Sequence, residues 1–167
     1  QIVAEDADVK DAARKIIVSK AFDYATSCSS ENSVIIHDSI YDEMVKEFEN
    51  LGSYFVKGSL HKQLEEHMWT VNKKGYRGIN PKIVAQSAIK IATDANIEVP
   101  ENTKVLLVEG ADDIENDFFS QEKLSPVLTL FKYSTFEEGY SKLERLTDNY
   151  GTGHYCGIHT NHQEYIN

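Results

Sequence analysis

Cys28 is the residue best placed for chemistry in this chain, because it stands in a polar connection, Thr26-Ser27-Cys28-Ser29-Ser30-Glu31-Asn32, and on neither of the apolar stretches beside it. A thiol attacks a carbonyl carbon as the thiolate, and a free thiol with a pKa of ~8.5 is only a few per cent ionised at pH 7. Its surroundings must stabilise the anion. The nearest basic residue in sequence is Lys20, one or two helical turns back, and backbone amides of the turn can also contribute. Judged alone, a single thiol in a soluble protein is more often a small buried hydrophobe than a catalyst. The other residues with chemical potential are Glu122 ahead of an apolar run, and His154, Cys156 and His159 near the end of the chain.

A metal centre does not follow from these residues. His154 and His159 are an odd number of positions apart and face opposite sides of a regular strand, His162 lies in the polar tail, and the two cysteines are more than a hundred residues apart. Cys156 shares a strand face with Ile158, which predicts core packing. Gly151, Gly153 and Gly157 run from helix into strand with one residue too many, whereas a dinucleotide fingerprint runs from strand into helix. Lys73, Lys74 and Arg77 are placed to meet phosphates, but a solvated loop is the simpler reading.

The elements around Cys28 follow from periodicity. Val9, Ala12, Ala13, Ile16 and Ile17 form one stripe of a helix that ends near Cys28, with Asp6 or Asp8 as cap. Ile2 and Val3 end an entering strand. Residues 33–37, β-branched at the centre, read as a buried strand, and Asp38 or Ser39 caps a helix with Ile40, Met44, Val45, Phe48 and Leu51 inward until Gly52 closes it. A short strand is predicted at 54–56. Leu60, Leu64, Met68 and Val71 give a third helical stripe, and Asn80 with Pro81 opens a fourth helix carrying Val84, Ala88, Ile91 and Ala95. Strands at 105–108 and 126–131, a helix through Phe136, Tyr140 and Leu143, and a strand at 154–160 complete the series. Alternating helices and strands predict an α/β, three-layer domain whose largely parallel sheet is flanked by helices.

Composition narrows the function classes. The 167 residues are 41% hydrophobic and 26% charged, ordinary for one globular domain. A formal charge of -10 repels nucleic-acid backbones and anionic lipid. Two distant cysteines make no disulfide framework, and no apolar run approaches a membrane span, so a cytoplasmic setting is expected.

Four segments in order resemble the CoA-acylating aldehyde dehydrogenases: residues 19–33 around Cys28 with Val34-Ile35-Ile36; 80–88 with Ile97-Glu98-Val99-Pro100; Glu122-Lys123-Leu124-Ser125-Pro126-Val127; and Gly151-Thr152-Gly153-His154 leading to Gly157-Ile158-His159-Thr160. One departure is Ala21-Phe22-Asp23-Tyr24, where that family usually has Thr-Phe-Asp-Asn. The resemblance implies Cys28 as nucleophile, Glu122 as acceptor for the nicotinamide ribose hydroxyls of NAD or NADP, and His154 as a donor near the thioester or coenzyme A. It also implies a covalent acyl thioester on Cys28 that coenzyme A removes, and a homo-oligomeric parent.

Because the resembled enzymes are more than twice as long, residues 1–167 are expected to be the cysteine-bearing catalytic domain of a larger protein, without its nucleotide-binding domain and inactive alone. The hydroxyls around Cys28 suit an anionic aldehyde, which favours sulfoacetaldehyde or succinate semialdehyde over acetaldehyde; the same hydroxyls also serve loop backbone. A module retained for binding or oligomerisation is the competing reading.

Overall fold

The computed structural model describes residues 1–154 and 156–166. Six parallel strands form the central sheet, in the order β3-β6-β7-β2-β1-β8. They are β1 (Ile2–Val3), β2 (Ser33–His37), β3 (Ser53–Phe55), β6 (Val105–Glu109), β7 (Val127–Tyr133) and β8 (Ile158–His159). Two further strands, β4 (Trp69–Val71) and β5 (Arg77–Ile79), make a separate antiparallel hairpin. The helices are α1 (Val9–Ala21), α2 (Asp38–Asn50), α3 (Ser59–Met68), α4 (Ala88–Asp94) and α5 (Phe136–Tyr150).

The three-layer arrangement follows from which side chains each strand sends to each face. Val34, Ile36, Leu128 and Leu130 pack with the stripes of α1 and α2, whereas Leu106, Val108 and Val127 pack with α3 and α4. Ile2, Ile35, Phe131 and Tyr133 meet Leu146 of α5 on that second side. Central strands covered on both faces need continuous apolar runs, and Val34, Ile35 and Ile36 are fully buried. β2 and β7 pair from Ser33 opposite Thr129 to His37 opposite Tyr133.

The helix at α1 matches its predicted stripe, capped by the Asp8 carboxylate, which accepts from the Asp11 amide at 3.0 Å. At α2 the cap is His37 and not Asp38 or Ser39; its ring Nδ1 accepts from the Ser39 amide at 3.3 Å. Gly52, with φ of +96°, follows the end of that helix in the left-handed conformation that suits glycine.

Three expectations are corrected. Val71 leaves the α3 stripe for β4 and is 66% exposed, because the Asn72 carboxamide accepts from the amides of Lys74 (2.8 Å) and Tyr76 (3.1 Å) and turns the chain into a hairpin. The fourth helix starts at Ala88, capped by Ser87, and not at Asn80. Asn80 is committed elsewhere: its Nδ2 donates to the His67 carbonyl and its Oδ1 accepts from the Lys82 amide, both at about 3 Å. The last strand shrinks to β8: residues 151–153 form a turn, residues 154, 156 and 157 belong to no strand, and Tyr155 of the expected strand lies outside the described residues.

Candidate active site

A parallel sheet gathers at one rim every loop that immediately precedes a strand. Cys28 precedes β2, Glu122 precedes β7 and His154 precedes β8, and β7, β2, β1 and β8 are consecutive neighbours. Residues more than a hundred positions apart therefore line one cleft of about 130 Å³, with Cys28, Glu122, His154, Lys20, Glu31 and Cys156 on its walls.

The nucleophile loop leaves α1 through Asp23, Tyr24 and Ala25, three consecutive residues with φ of 47°, 52° and 57°. Left-handed backbone costs a non-glycine residue roughly 1–2 kcal/mol, so the loop is held by its surroundings. The Thr26 hydroxyl donates to Asp23, with its carbonyl at 3.0 Å and its carboxylate at 2.7 Å. The Ser30 amide donates to the Ser27 carbonyl at 3.0 Å, and the Ser27 and Ser29 hydroxyls are 2.6 Å apart. The turn leaves the Cys28 thiol exposed.

Glu122 is exposed on a loop whose backbone is fixed from beneath. The buried Asp117 carboxylate accepts from the amides of Ala111 and Phe119, both at 2.9 Å. Lys123, fully buried, donates to the carbonyls of Phe119 (2.6 Å) and Gln121 (3.1 Å), and burial pushes its amine well below the usual lysine range. Asn32 joins this loop to the nucleophile loop, its Nδ2 donating to the carbonyls of Ser120 (3.1 Å) and Gln121 (2.9 Å).

His154 sits in a turn, its amide donating to the Gly151 carbonyl at 2.9 Å, with its residue exposed at the cleft. Cys156 is likewise exposed, against the expectation of core packing. The reason is the shortened β8: strand alternation has not begun at residue 156, so no covered face exists for its side chain. Lys73 and Lys74 are exposed on the hairpin loop, away from the cleft lining. Arg77 is held by Glu65 at 2.8 Å and lies 4.0 Å over the Phe118 ring. Among the described residues, no cluster of three or more His, Cys, Asp or Glu side chains could hold a metal ion, and no helix is long and apolar enough to cross a membrane.

Lys20 is the site residue whose position the sequence understated. It is 2% exposed, and burial pushes its pKa down to about 7 against the opposing pull of Glu31 and Glu122. The signal was available: position 20 continues the spacing of Val9, Ala13, Ile16 and Ile17 on the buried stripe of α1. Glu31 is also buried, its Oε1 accepting from Gln1 Nε2 at 2.6 Å while Oε2 has no partner among the described residues.

Comparison with known proteins agrees with this geometry. Residues 1–166 match the family model described as "Aldehyde dehydrogenase family". The chain is 70% identical to a sulfoacetaldehyde dehydrogenase of Acholeplasma sp over 166 residues, 99% of this chain and 34% of that protein. It is 52% identical to the sulfoacetaldehyde dehydrogenase (acylating) of Bilophila wadsworthia over 165 residues, 99% of this chain and 36% of that one. It thus spans about a third of the length of these curated relatives. Among solved structures, an acetylating aldehyde dehydrogenase from Geobacillus thermoglucosidasius superposes with a TM-score of 0.91 at 33% identity, covering 99% of this chain and 35% of that one. With the three-layer sheet, the cysteine turn and a match along almost its entire length, the chain belongs to the aldehyde dehydrogenase family.

Proposed function

We propose that residues 1–167 form the cysteine-bearing catalytic domain of a CoA-acylating aldehyde dehydrogenase that converts sulfoacetaldehyde to its acyl-CoA. The observation that carries this reading is the exposed Cys28 thiol on the same cleft as Glu122 and His154. The curated relatives at 70% and 52% identity bear the sulfoacetaldehyde dehydrogenase name, which supports the choice of aldehyde.

In this mechanism the Cys28 thiolate adds to the aldehyde carbon and the carbonyl oxygen becomes an oxyanion. The Cys28 amide, which donates no hydrogen bond among the described residues, supplies a donor for that charge. NAD or NADP, when bound, supplies the acceptor for the hydride lost from the aldehyde carbon. Glu122 fits the ribose hydroxyls because its carboxylate is exposed on the cleft while Asp117, Lys123 and Asn32 fix the backbone beside it. Loss of hydride leaves an acyl thioester on Cys28. His154 then donates a hydrogen bond at the thioester oxygen as coenzyme A, its thiol proton released to solvent, attacks as the thiolate; the bond between Cys28 sulfur and the acyl carbon breaks, giving acyl-CoA and the Cys28 thiolate.

The test is acyl-CoA formation by the full-length parent with sulfoacetaldehyde, succinate semialdehyde and acetaldehyde, before and after Cys28→Ala. Loss of turnover in the variant is expected. Full turnover without the thiol refutes Cys28 as the nucleophile, and absence of turnover by the native parent with all three aldehydes leaves the binding module.

A further inference from the structure

The site stands on three loops. Asn32 ties the nucleophile loop to the loop of Glu122 through the carbonyls of Ser120 and Gln121. His154 is carried separately, at the close of the turn that follows α5. That turn is continuous with the helix: the Gly151 amide donates to the Thr147 carbonyl at 2.9 Å, the Thr152 hydroxyl donates to the same carbonyl at 3.2 Å, and the His154 amide donates to the Gly151 carbonyl at 2.9 Å. The position of the last turn of α5 therefore decides the position of His154.

Helix ends fray unless groups outside the helix hold them. Leu143 and Leu146 pack with the buried Ile114. Beside that apolar contact, the hydroxyl of Tyr150, the last residue of α5, donates to the Glu115 carbonyl at 2.6 Å. Arg145 holds the same residue by its carboxylate, with Nε at 2.7 Å and Nη2 at 2.5 Å, and Nη2 also donates to the Asp112 carbonyl at 3.0 Å. The segment that receives these bonds runs directly into the loop of Glu122. Its conformation is closed by the Asn116 amide on the Asp113 carbonyl at 3.1 Å and by the Asp117 carboxylate on the amides of Ala111 and Phe119. The Gln121 side chain reaches the Tyr150 oxygen as well. Tyr150 lines the cleft together with Glu122 and His154.

We propose that Tyr150 is a positioning residue for the acyl-transfer step: its hydroxyl, closed on the Glu115 carbonyl, registers the His154 turn against the loop of Glu122 and, through Asn32, against Cys28. The inference rests on the enzyme reading for its purpose and assigns Tyr150 to one step of it. Formation of the thioester uses Cys28 and Glu122, whose loops Asn32 joins without help from α5. Attack by coenzyme A uses His154, and that is the loop which loses its register when the phenol oxygen is removed. Burial raises the phenol above its ordinary pKa of 10.0, so the hydroxyl remains a donor throughout the neutral range.

The experiment separates the two halves of the reaction in the full-length protein. Sulfoacetaldehyde and NAD or NADP are mixed without coenzyme A, the burst of reduced nucleotide is read by absorbance, and coenzyme A is then added to the acyl-enzyme. In Tyr150→Phe the burst should keep its native rate while acyl-CoA release slows about three- to tenfold, the size of one neutral hydrogen bond. In a His154→Ala background the same substitution should slow release by less than about twofold, because residues that act through one group are not additive. Hydrogen–deuterium exchange reads the placement without turnover: residues 147–154 should exchange faster in the variant, and residues 26–33 at the native rate. Arg145→Met loosens the same hold, should move the same readouts in the same direction, and decides the matter if Tyr150→Phe fails to fold. Slowing of release by less than about threefold, an equal slowing of the burst, a full effect in the His154→Ala background, or unchanged exchange over residues 147–154 overturns the proposal. Absence of a burst in the native protein refutes the enzyme reading separately and leaves the exchange measurement to decide whether Tyr150 holds the His154 turn.

Discussion

Asn32 donates to the carbonyl of Gln121 at 2.9 Å, and through that contact the loop bearing the thiol and the loop bearing Glu122 become one unit although they lie some ninety residues apart in sequence. A second hydrogen bond, to Ser120 at 3.1 Å, fixes the carboxamide in plane. The spacing between thiol and carboxylate is set by this bridge and not by either loop alone.

Asn32→Ala takes the donor from the Ser120 carbonyl and leaves the Gln121 carbonyl with Lys123 alone. Unmade buried hydrogen bonds cost about 1–3 kcal/mol each, so a fall in unfolding free energy of about that size is expected, measured by denaturant titration. In the full-length parent the Michaelis constant for the nicotinamide nucleotide should rise with it.

Cys28→Ala removes an exposed thiol and therefore leaves thermal stability unchanged within about 0.5 kcal/mol. Acyl-CoA formation by the parent should disappear. A variant with native stability and no turnover separates chemistry from folding.

Glu122→Gln keeps the size of the side chain and removes its charge. Hydrogen bonds to a charged acceptor contribute about 1.5–3 kcal/mol, so the Michaelis constant for the nucleotide should rise about 10- to 100-fold. The rate of Cys28 alkylation, which needs no nucleotide, should be unaffected.

Burial of Lys20 makes stability depend on pH with a definite sign. Its folded pKa, about 7, lies below the ordinary 10.5, so between those values the unfolded chain binds the extra proton. Stability contributed by this group therefore rises with pH from about 7 upward, and the penalty of charging the buried amine is complete below that. The full difference corresponds to roughly 5 kcal/mol. The unfolding free energy of Lys20→Met, compared with the native protein from pH 6 to 9.5, should gain most at the acid end and lose its advantage toward the alkaline end.

Tyr24 is 51% exposed and holds φ of 52°. Tyr24→Gly removes that strain and is expected to raise stability by up to about 1 kcal/mol, with the gain reduced by the added freedom of the unfolded chain. Thermal unfolding reads the effect directly.

Much of this arrangement was legible from residue pattern. The α1 stripe and β2 are recovered at their predicted places because helix period and a β-branched run each dominate locally. The resemblance brought Cys28, Glu122 and His154 forward, and the parallel sheet supplies the reason they meet. What pattern missed lies where a polar side chain overrides periodicity. Asn72 bends the α3 stripe into a hairpin, and Asn80 serves the His67 carbonyl instead of opening a helix. Strand alternation gives the wrong face for Cys156 because β8 begins only at Ile158. Sequence order makes Lys20 a basic neighbour of the thiol, whereas its place on the apolar stripe of α1 puts it inside.

The rim on which the cysteine, glutamate and histidine loops converge has an opposite edge, where the strands run out into Gly110, Ser134 and Thr160. Peptide grafted at Ser134, between β7 and α5, would lengthen the chain at that far edge, away from the cleft lining. Variation in loop length among natural versions of this domain should accumulate there, and reporter tags intended to spare chemistry belong on that side.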